Sequence, residues 1–292
     1  MSPAGHHPLP PMLAELRELY RYRELLLNLV IRDLKVRYKN SALGFFWSLL
    51  NPLLQVLVIT VVFHYVLRPR ASVANYPAYR VRDFSASVIT GLIPWTFFQM
   101  SLLDASQSVL LHFAILKKVY FPREVLPMAT VLANFVHFLL SIGLLFAYAL
   151  VRGIHLKAMI LLLPVVMLLH LSLSMGLAFF ISALNVYYED VKYVVSVLTN
   201  VLFYTTPVLY PSTFIGDPSV SHGDLLYNLY RLNPIAHLII AYQKCFLAAA
   251  QPHDPRPLDP LFMLVTAAIC LLMLVAGYAF YNSRKWEFAE RL

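Results

Sequence analysis

LNLVIRDLKVRYKNSALGFFWSLLNP (Leu27–Pro52) changes character at its midpoint, and this change decides the fold. Up to Lys39 the stretch is basic, and its apolar residues recur at the spacing of one helix face: Leu27, Val30, Ile31, Leu34 and Tyr38. After Lys39 no charged residue occurs before Arg68. A basic amphipathic helix lies in the membrane interface, whereas an apolar run of roughly 20 residues crosses the hydrocarbon core. The sequence therefore predicts a chain that follows one membrane face and then crosses the membrane.

Composition supports an integral membrane protein. Of the 292 residues 60% are hydrophobic and only 13% are charged, whereas soluble domains carry about 25% charged residues. The net charge of +8 lies mostly in loops, which fits anionic lipid better than nucleic acid. Two cysteines, Cys245 and Cys270, provide neither a disulfide framework nor a CxxC metal site. We expect no cleavable signal peptide, and the first span itself directs insertion.

The hydropathy pattern predicts an all-α polytopic protein with six transmembrane helices, at about residues 43–67, 84–111, 125–151, 158–184, 194–210 and 260–283. We expect a disordered tail over residues 1–12, an interfacial helical region over 13–42 and a polar tail over 284–292. The apolar part of residues 212–259 is too short to span and contains Lys244, which favours re-entrant or interfacial helices. Six spans place both termini on one side, and the excess of Lys and Arg there predicts the cytoplasm.

Sequence motifs for catalysis are missing. No GxxxxGK[ST], HExxH or GxSxG pattern occurs, so the chain cannot hydrolyse ATP through a P-loop. We therefore expect a non-enzymatic chain without a metal site or a cofactor of its own.

A few polar residues within the predicted spans are open to two interpretations. Asp104 is either an ion site or a carboxylate that faces the bundle and bonds to nearby serines. His64, His137 and His170 stand alone, which favours hydrogen bonds between helices over a functional relay. The pair Glu189-Asp190, at the end of the fourth span, is either a gate partner for a basic group or a solvated helix end.

Aromatic side chains cluster where the first span begins and around the fifth span. They are Phe45, Phe46, Trp47, Tyr187, Tyr188, Tyr193, Phe203, Tyr204 and Tyr210. Aromatic faces stack on sugar rings with little geometric demand, so a polymer could slide over them. The alternative for each residue is an ordinary position in the helix packing or in an interfacial belt.

Four stretches, in order and at the expected spacing, resemble one family. They are RDLKVRYKNSALGFFWSLLNPL (Arg32–Leu53), TGLIPWTFF (Thr90–Phe98), LNVYYEDVKYV (Leu184–Val194) with TTPVLYP (Thr205–Pro211), and LNPIAHLIIAYQ (Leu232–Gln243). Over about residues 15–285 the chain is similar to the permease subunits of ABC-2 type exporters, in particular those of O-antigen, teichoic acid and capsule polysaccharide.

The resemblance implies a homodimer in the bacterial inner membrane with two copies of a separate ABC ATPase, which binds ATP and Mg. It implies a cytoplasmic coupling helix that docks on the ATPase through His112, Phe113, Leu116, Lys117, Lys118, Tyr120 and Phe121. Residues 212–259 would form re-entrant helices that gate the outer side, and Glu189 with Asp190 would belong to a gate. The aromatic residues named above would line the polymer path.

The resemblance also implies the substrate, a glycan on a polyprenyl diphosphate or a similar lipid. Its diphosphate would meet charge-assisted donors at the inner leaflet: Arg32, Lys35, Arg37 and Lys39. Three alternatives stay open. The first is an ABC-2 exporter of a drug or lipid. The second is a membrane enzyme that modifies a lipid or glycan, for which Glu189-Asp190 is the only acidic pair. The third is a secondary carrier, which the lack of repeats and of intramembrane charge disfavours.

Overall fold

The computed structural model describes residues 19–37, 39, 41, 46–62, 81–112, 121–153, 158–210, 223–247 and 258–288. Throughout these residues the regular structure is helical, without a strand, which confirms the predicted all-α class. The helices are α1 Arg23–Arg37, α2 Trp47–Val61, α3 Val81–Leu111, α4 Val125–Arg152, α5 Leu163–Tyr187, α6 Val191–Thr205, α7 Gly223–Arg231, α8 Pro234–Leu247 and α9 Pro260–Arg284. Short 3₁₀ turns precede α5 (Ala158–Leu162) and follow α9 (Lys285–Glu287).

Four stretches in the described part of the chain are long and apolar enough to cross a membrane. They are Ser85–Leu111, Val125–Val151, Ala158–Tyr187 and Pro260–Glu287, and they coincide with the predicted second, third, fourth and sixth spans. Helix α2 lies within the predicted first span, and α6 begins three residues before the predicted fifth span and overlaps it. Each contains 15 residues, whereas a crossing needs about 20. The six-span count therefore stays a prediction.

Helix α3 is the centre of the bundle. In its most apolar window 78% of the residues are buried, against 22% in the corresponding window of α9. Phe97 of α3 stacks on Phe138 of α4 with ring centroids 4.9 Å apart, and its edge meets His170 of α5 at 5.0 Å. Because lipid is as apolar as these side chains, close packing and interhelical hydrogen bonds hold such a bundle together. The aromatic contacts therefore fix α3, α4 and α5 relative to each other.

Helices α5 and α9 cross at two glycines. A Cβ atom on Gly176 would collide with the backbone of Met273, and one on Gly277 would collide with the carbonyl of Gly176. Small residues at a crossing let two helix backbones approach closely in a membrane. The α5–α9 pair is thus held by backbone contact and forms a single packed unit.

Helix α1 packs along the first turns of α4. Its buried residues Leu29 and Val30 join a cluster with residues at the start of α4: Phe121, Val125, Leu126, Ala129 and Ala133. Leu27 and Ile31, which the sequence places on the same stripe as Val30, are 59% and 47% exposed. Only part of the predicted apolar stripe contacts the bundle, and the rest is available to lipid. Tyr38 and residues 1–18 lie outside the described residues.

Candidate functional site

A polar network joins α1, α3 and α4 at the level of Arg37. The guanidinium Nη2 of Arg37 lies 2.5 Å from Asp104 Oδ2, and Nη1 donates to Asn134 Oδ1 at 2.9 Å. Asn134 Nδ2 in turn donates to Asp104 Oδ2 at 3.0 Å, which closes a triangle of hydrogen bonds. The predicted serines of α3 are not the partners: Ser106 and Ser108 donate to backbone carbonyls of their own helix, and the buried Ser101 Oγ makes no hydrogen bond to a described residue. Asp104 is therefore neutralised by Arg37.

The sequence could not reveal this pair. Arg37 was predicted to receive a lipid diphosphate and Asp104 to bind an ion or serines, and 67 residues separate the two. Only the packing of α1 beside α4 brings the guanidinium to the carboxylate. The sequence gives only a weak indication of the pair. A carboxylate within the membrane requires a partner, but several cations of the chain could supply it.

The four predicted cations of the entrance differ in their surroundings. Arg37 is held in the network described above. Arg32 Nη2 lies 2.9 Å from Asp33 Oδ1 and also contacts His112 at the end of α3. Lys35 and Lys39 are exposed. Two of the four thus hold elements of the fold together, and two are accessible from outside.

A cavity of about 220 Å³ lies between the start of α2 and the middle of α3 and α4. Its polar lining comprises Arg37, Asn51, Asn134, His137 and Ser141, and Trp47, Phe97 and Phe138 supply aromatic walls. Donor groups beside aromatic faces suit a ligand with a polar head and an apolar or sugar portion. Asn51, Asn134 and Ser141 were not singled out from the sequence, because isolated polar residues in apolar runs carry no pattern.

The predicted coupling segment is described only at its ends. His112 Nδ1 lies 2.6 Å from the carbonyl of Ser108, and Phe121 is buried in the cluster formed with α1. The side chain of Phe121 therefore anchors the segment within this chain and is not exposed to another protein. Phe113, Leu116, Lys117, Lys118 and Tyr120 lie outside the described residues.

Glu189 and Asp190 form an exposed turn between α5 and α6. Asp190 is the residue before α6, but its side chain makes no capping hydrogen bond. The cap comes from Asn185, whose Oδ1 accepts a hydrogen bond from the backbone N–H of Lys192 at 3.1 Å. Asn185 is fully buried, so it fixes the angle at which α6 leaves α5. No pattern in the sequence singles out Asn185.

The predicted polymer-lining aromatics fall into two groups. The side chains of the first group are exposed, each by at least 46%: Phe46, Trp47, Tyr188, Tyr193 and Tyr204. The others pack inward: Phe203 lies against Trp95 at 5.7 Å between ring centroids, Tyr187 donates to Glu287 Oε2 at 2.7 Å, and Tyr210 donates to the carbonyl of Tyr204 at 3.1 Å. Phe45 lies outside the described residues.

Helix α6 carries an uncovered apolar face. Tyr193 and Tyr204 stand near its two ends, 64% and 69% exposed. Their spacing of about three helical turns places them on the same face. Exposed aliphatic residues lie between them: Val194, Val197, Leu198 and Val201. This chain alone leaves that face open to lipid, to another subunit or to a transported molecule.

The two intramembrane histidines that the structure describes, His137 and His170, are buried in the bundle. His170 lies 3.3 Å from the hydroxyl of Tyr242 and so links α5 to α8, as the structural alternative predicted. His137 lines the cavity beside Asn134. His64 lies outside the described residues. Within the described ranges no three His, Cys, Asp or Glu side chains gather as a metal site, and both cysteines are buried free thiols.

The chain is similar to a known transporter family and to named export permeases. The family described as ABC-2 type transporter matches residues 24–247. A Myxococcus xanthus protein named O-antigen export system permease protein RfbA is 35% identical over 281 residues, which cover 96% of this chain and 100% of the relative. A Klebsiella pneumoniae protein of the same name is 29% identical over 270 residues, or 92% of this chain and 95% of the relative.

Proposed function

The chain belongs to the ABC-2 type transporter family, and from this premise we propose that it is the permease subunit through which a lipid-linked polysaccharide of the O-antigen kind leaves the cytoplasmic side of the inner membrane. The observation that carries the proposal is the similarity to O-antigen export permeases over nearly the whole chain. The subunit is a transporter component and not an enzyme. The long apolar helices agree with a membrane-embedded role.

Energy for transport comes from a separate subunit in this proposal. The sequence has no P-loop, so two copies of an ABC ATPase bind ATP and Mg on the cytoplasmic side, and this chain forms a homodimer above them. The segment that follows His112 docks on the ATPase through Phe113, Leu116, Lys117, Lys118 and Tyr120, and Phe121 anchors the segment to this chain. Both termini of this chain are cytoplasmic.

The polymer path is proposed to lie along the uncovered faces of α2 and α6. Support comes from the exposed aromatic residues at the ends of these helices, Trp47 at the start of α2 and Tyr193 and Tyr204 near the two ends of α6. Exposed aliphatic residues continue the surface along α2: Leu54, Leu57 and Val58. Aromatic faces contact sugar rings through C–H groups without fixed register, so a chain of sugars advances over them stepwise. A second copy of this chain supplies the opposite wall.

The entrance for the lipid head is proposed at the end of α1. Lys35 and Lys39 are exposed there, and the cavity beside Arg37 opens between α2 and α4. Ammonium and guanidinium groups form strong charge-assisted hydrogen bonds with phosphate oxygens. The lysines therefore attract the diphosphate, and the cavity receives the head group.

The outer gate is proposed to lie in residues 212–259, of which α7 and α8 are described. Nearly every residue of α8 is buried, which suits a re-entrant helix enclosed by the bundle. At the end of α7, Arg231 covers the ring of Phe262 at 3.9 Å from its centroid and pairs with Asp259 at 3.4 Å. These contacts attach α7 to the start of α9. The turn at Glu189 and Asp190 is the proposed gate element on the opposite side.

The test is an assay of the purified complex with its ABC ATPase in lipid nanodiscs. ATP hydrolysis is measured with and without lipid-linked glycan extracted from the same cells. Hydrolysis that responds to the glycan supports the proposal. A response to an ordinary phospholipid or to a drug, with none to the glycan, would instead indicate the alternative ABC-2 exporter.

A further inference from the structure

A cluster of contacts outside the proposed substrate path joins the start of α4 to the end of α9. Lys285 Nζ lies 3.2 Å from Glu124 Oε1, and the two side chains are 10% and 3% exposed. The guanidinium of Arg123 donates to the backbone carbonyl of Lys285. The hydroxyl of Tyr281 donates to the carbonyl of Arg123 at 2.9 Å. We name this set of four residues the terminal clamp.

The clamp is built as a buried site. Tyr281 is fully buried, and Phe288, 1% exposed, packs its ring against Tyr281 at 5.4 Å. Among the described residues Lys285 is the partner of the Glu124 carboxylate, whose Oε2 is buried without a hydrogen bond. A buried carboxylate is stable only with such a partner, because desolvation strongly disfavours an isolated charge. The ion pair therefore joins the two chain segments, because separating its members inside the protein would leave each charge buried without its partner.

The position of the clamp in the chain suggests its role. Arg123 and Glu124 directly follow the segment that ends at Phe121, the segment proposed to dock on the ATPase. Lys285 directly follows α9, which packs mainly on α5 through the glycine crossing of Gly176 and Gly277. Helix α5 continues into α6 by the short capped turn at Asn185. The clamp thus begins a continuous path of rigid contacts from the docking segment to α6.

We propose that the Glu124–Lys285 pair is a positioning pair that transmits movement of the docking segment to α9, α5 and α6. The inference rests on the proposed function, in which the ATPase moves the docking segment. Without the clamp, movement of the docking segment would reach α5 through the packing of α3 and α4 on that helix, and it would reach α9 mainly by way of α5. With the clamp, displacement at Phe121 is also passed directly to α9, and through α5 to α6, the helix that carries Tyr193 and Tyr204. Coupling of this kind requires contiguous packed elements with two arrangements.

The test compares variants in the complex with the ABC ATPase, reconstituted in proteoliposomes with lipid-linked glycan. Lys285→Met leaves Glu124 buried and unpaired, whereas Glu124→Gln with Lys285→Met removes both charges of the pair. We expect complex assembly and basal ATP hydrolysis to persist in the double variant, while glycan exported per ATP falls roughly tenfold, a usual size for coupling between sites. Arg284→Gln, which removes the exposed Arg284–Glu287 contact, is the matched control and exports normally.

A merely structural role predicts the opposite result, because the double variant would recover both folding and export. Normal export per ATP in the double variant would overturn the proposal. If the wild-type complex itself exports no glycan, the proposed function fails instead, so the two failures are distinct. A second measurement needs no variant: hydrogen exchange of the wild-type complex with and without ATP. If the clamp transmits movement, the amides of residues 121–124 and 281–288 change their protection from exchange together when ATP is added. A change confined to residues 121–124 would also overturn the proposal.

Discussion

Arg37 Nη2 and Asp104 Oδ2 lie 2.5 Å apart and join α1 to the central helix α3. Asn134 bonds to both partners and adds α4 to the same network. The contact lies beside the cavity proposed to receive the lipid head. An ion pair at this place gives α1 a defined position and keeps the guanidinium pointed toward the cavity.

The first prediction concerns the strength of this pair. Asp104→Asn and Arg37→Gln each leave one charge unpaired, and we expect each to lower the thermal stability of the purified protein. The double variant should lose less than the sum, with a coupling energy of about 1 kcal/mol, the usual scale for polar contacts between membrane helices. A double-mutant cycle from unfolding in detergent measures it. Strictly additive losses would show that the two groups do not interact.

The second prediction tests the entrance. Lys35→Gln with Lys39→Gln should raise the concentration of lipid-linked glycan needed for half-maximal stimulation of ATP hydrolysis, because two exposed cations no longer attract the diphosphate. The maximal rate should be unchanged. The effect should shrink at high salt, since salt screens exposed charges. Arg23→Gln, at the other end of α1, is the control; an equal shift in that variant would argue against a local site.

The third prediction concerns the face of α6. Tyr193→Ala with Tyr204→Ala should reduce glycan export without lowering stability, because both side chains are exposed. The matched control is Val197→Ala with Val201→Ala on the same helix, which removes exposed apolar groups without removing aromatic rings. Export is measured as glycan accumulation inside inverted vesicles. Equal export in the two double variants would mean that aromatic character is not used.

The fourth prediction tests the crossing of α5 and α9. Gly176→Ala places a methyl group against the backbone of Met273 and should destabilise the protein by roughly 1–3 kcal/mol, the cost of overpacking. Gly143→Ala is the control, because a Cβ there meets nothing within 4 Å. Thermal unfolding followed by fluorescence compares the two. A Gly176→Ala protein as stable as the control would contradict the close crossing.

Sequence periodicity predicted the elements that depend on local composition. Four apolar stretches of membrane-spanning length coincide with predicted spans, because length and hydropathy can be read directly from the sequence. The family was also recognisable, since short stretches such as LNVYYEDVKYV carry it in order.

Contacts between distant segments could not be predicted. The Arg37–Asp104 pair depends on the packing of α1 against α4, and the Glu124–Lys285 pair joins residues that are 161 positions apart in the sequence. Neither pair has a local spacing: Asp104 stands alone in a predicted span and Arg37 in the interfacial region, while Glu124 and Lys285 lie just outside predicted spans. Asn185 was overlooked for the same reason, because its role as a cap depends on the turn that follows it.

The most direct test of the central claim is the ATP hydrolysis of the purified complex of this chain with its ABC ATPase, measured against added lipid-linked glycan. We expect the rate of ATP hydrolysis to change with glycan concentration until it saturates, and we expect glycan to be transported across the vesicle membrane. A chain that forms no complex with the ATPase, or a complex whose hydrolysis and transport ignore the glycan, would contradict the central claim.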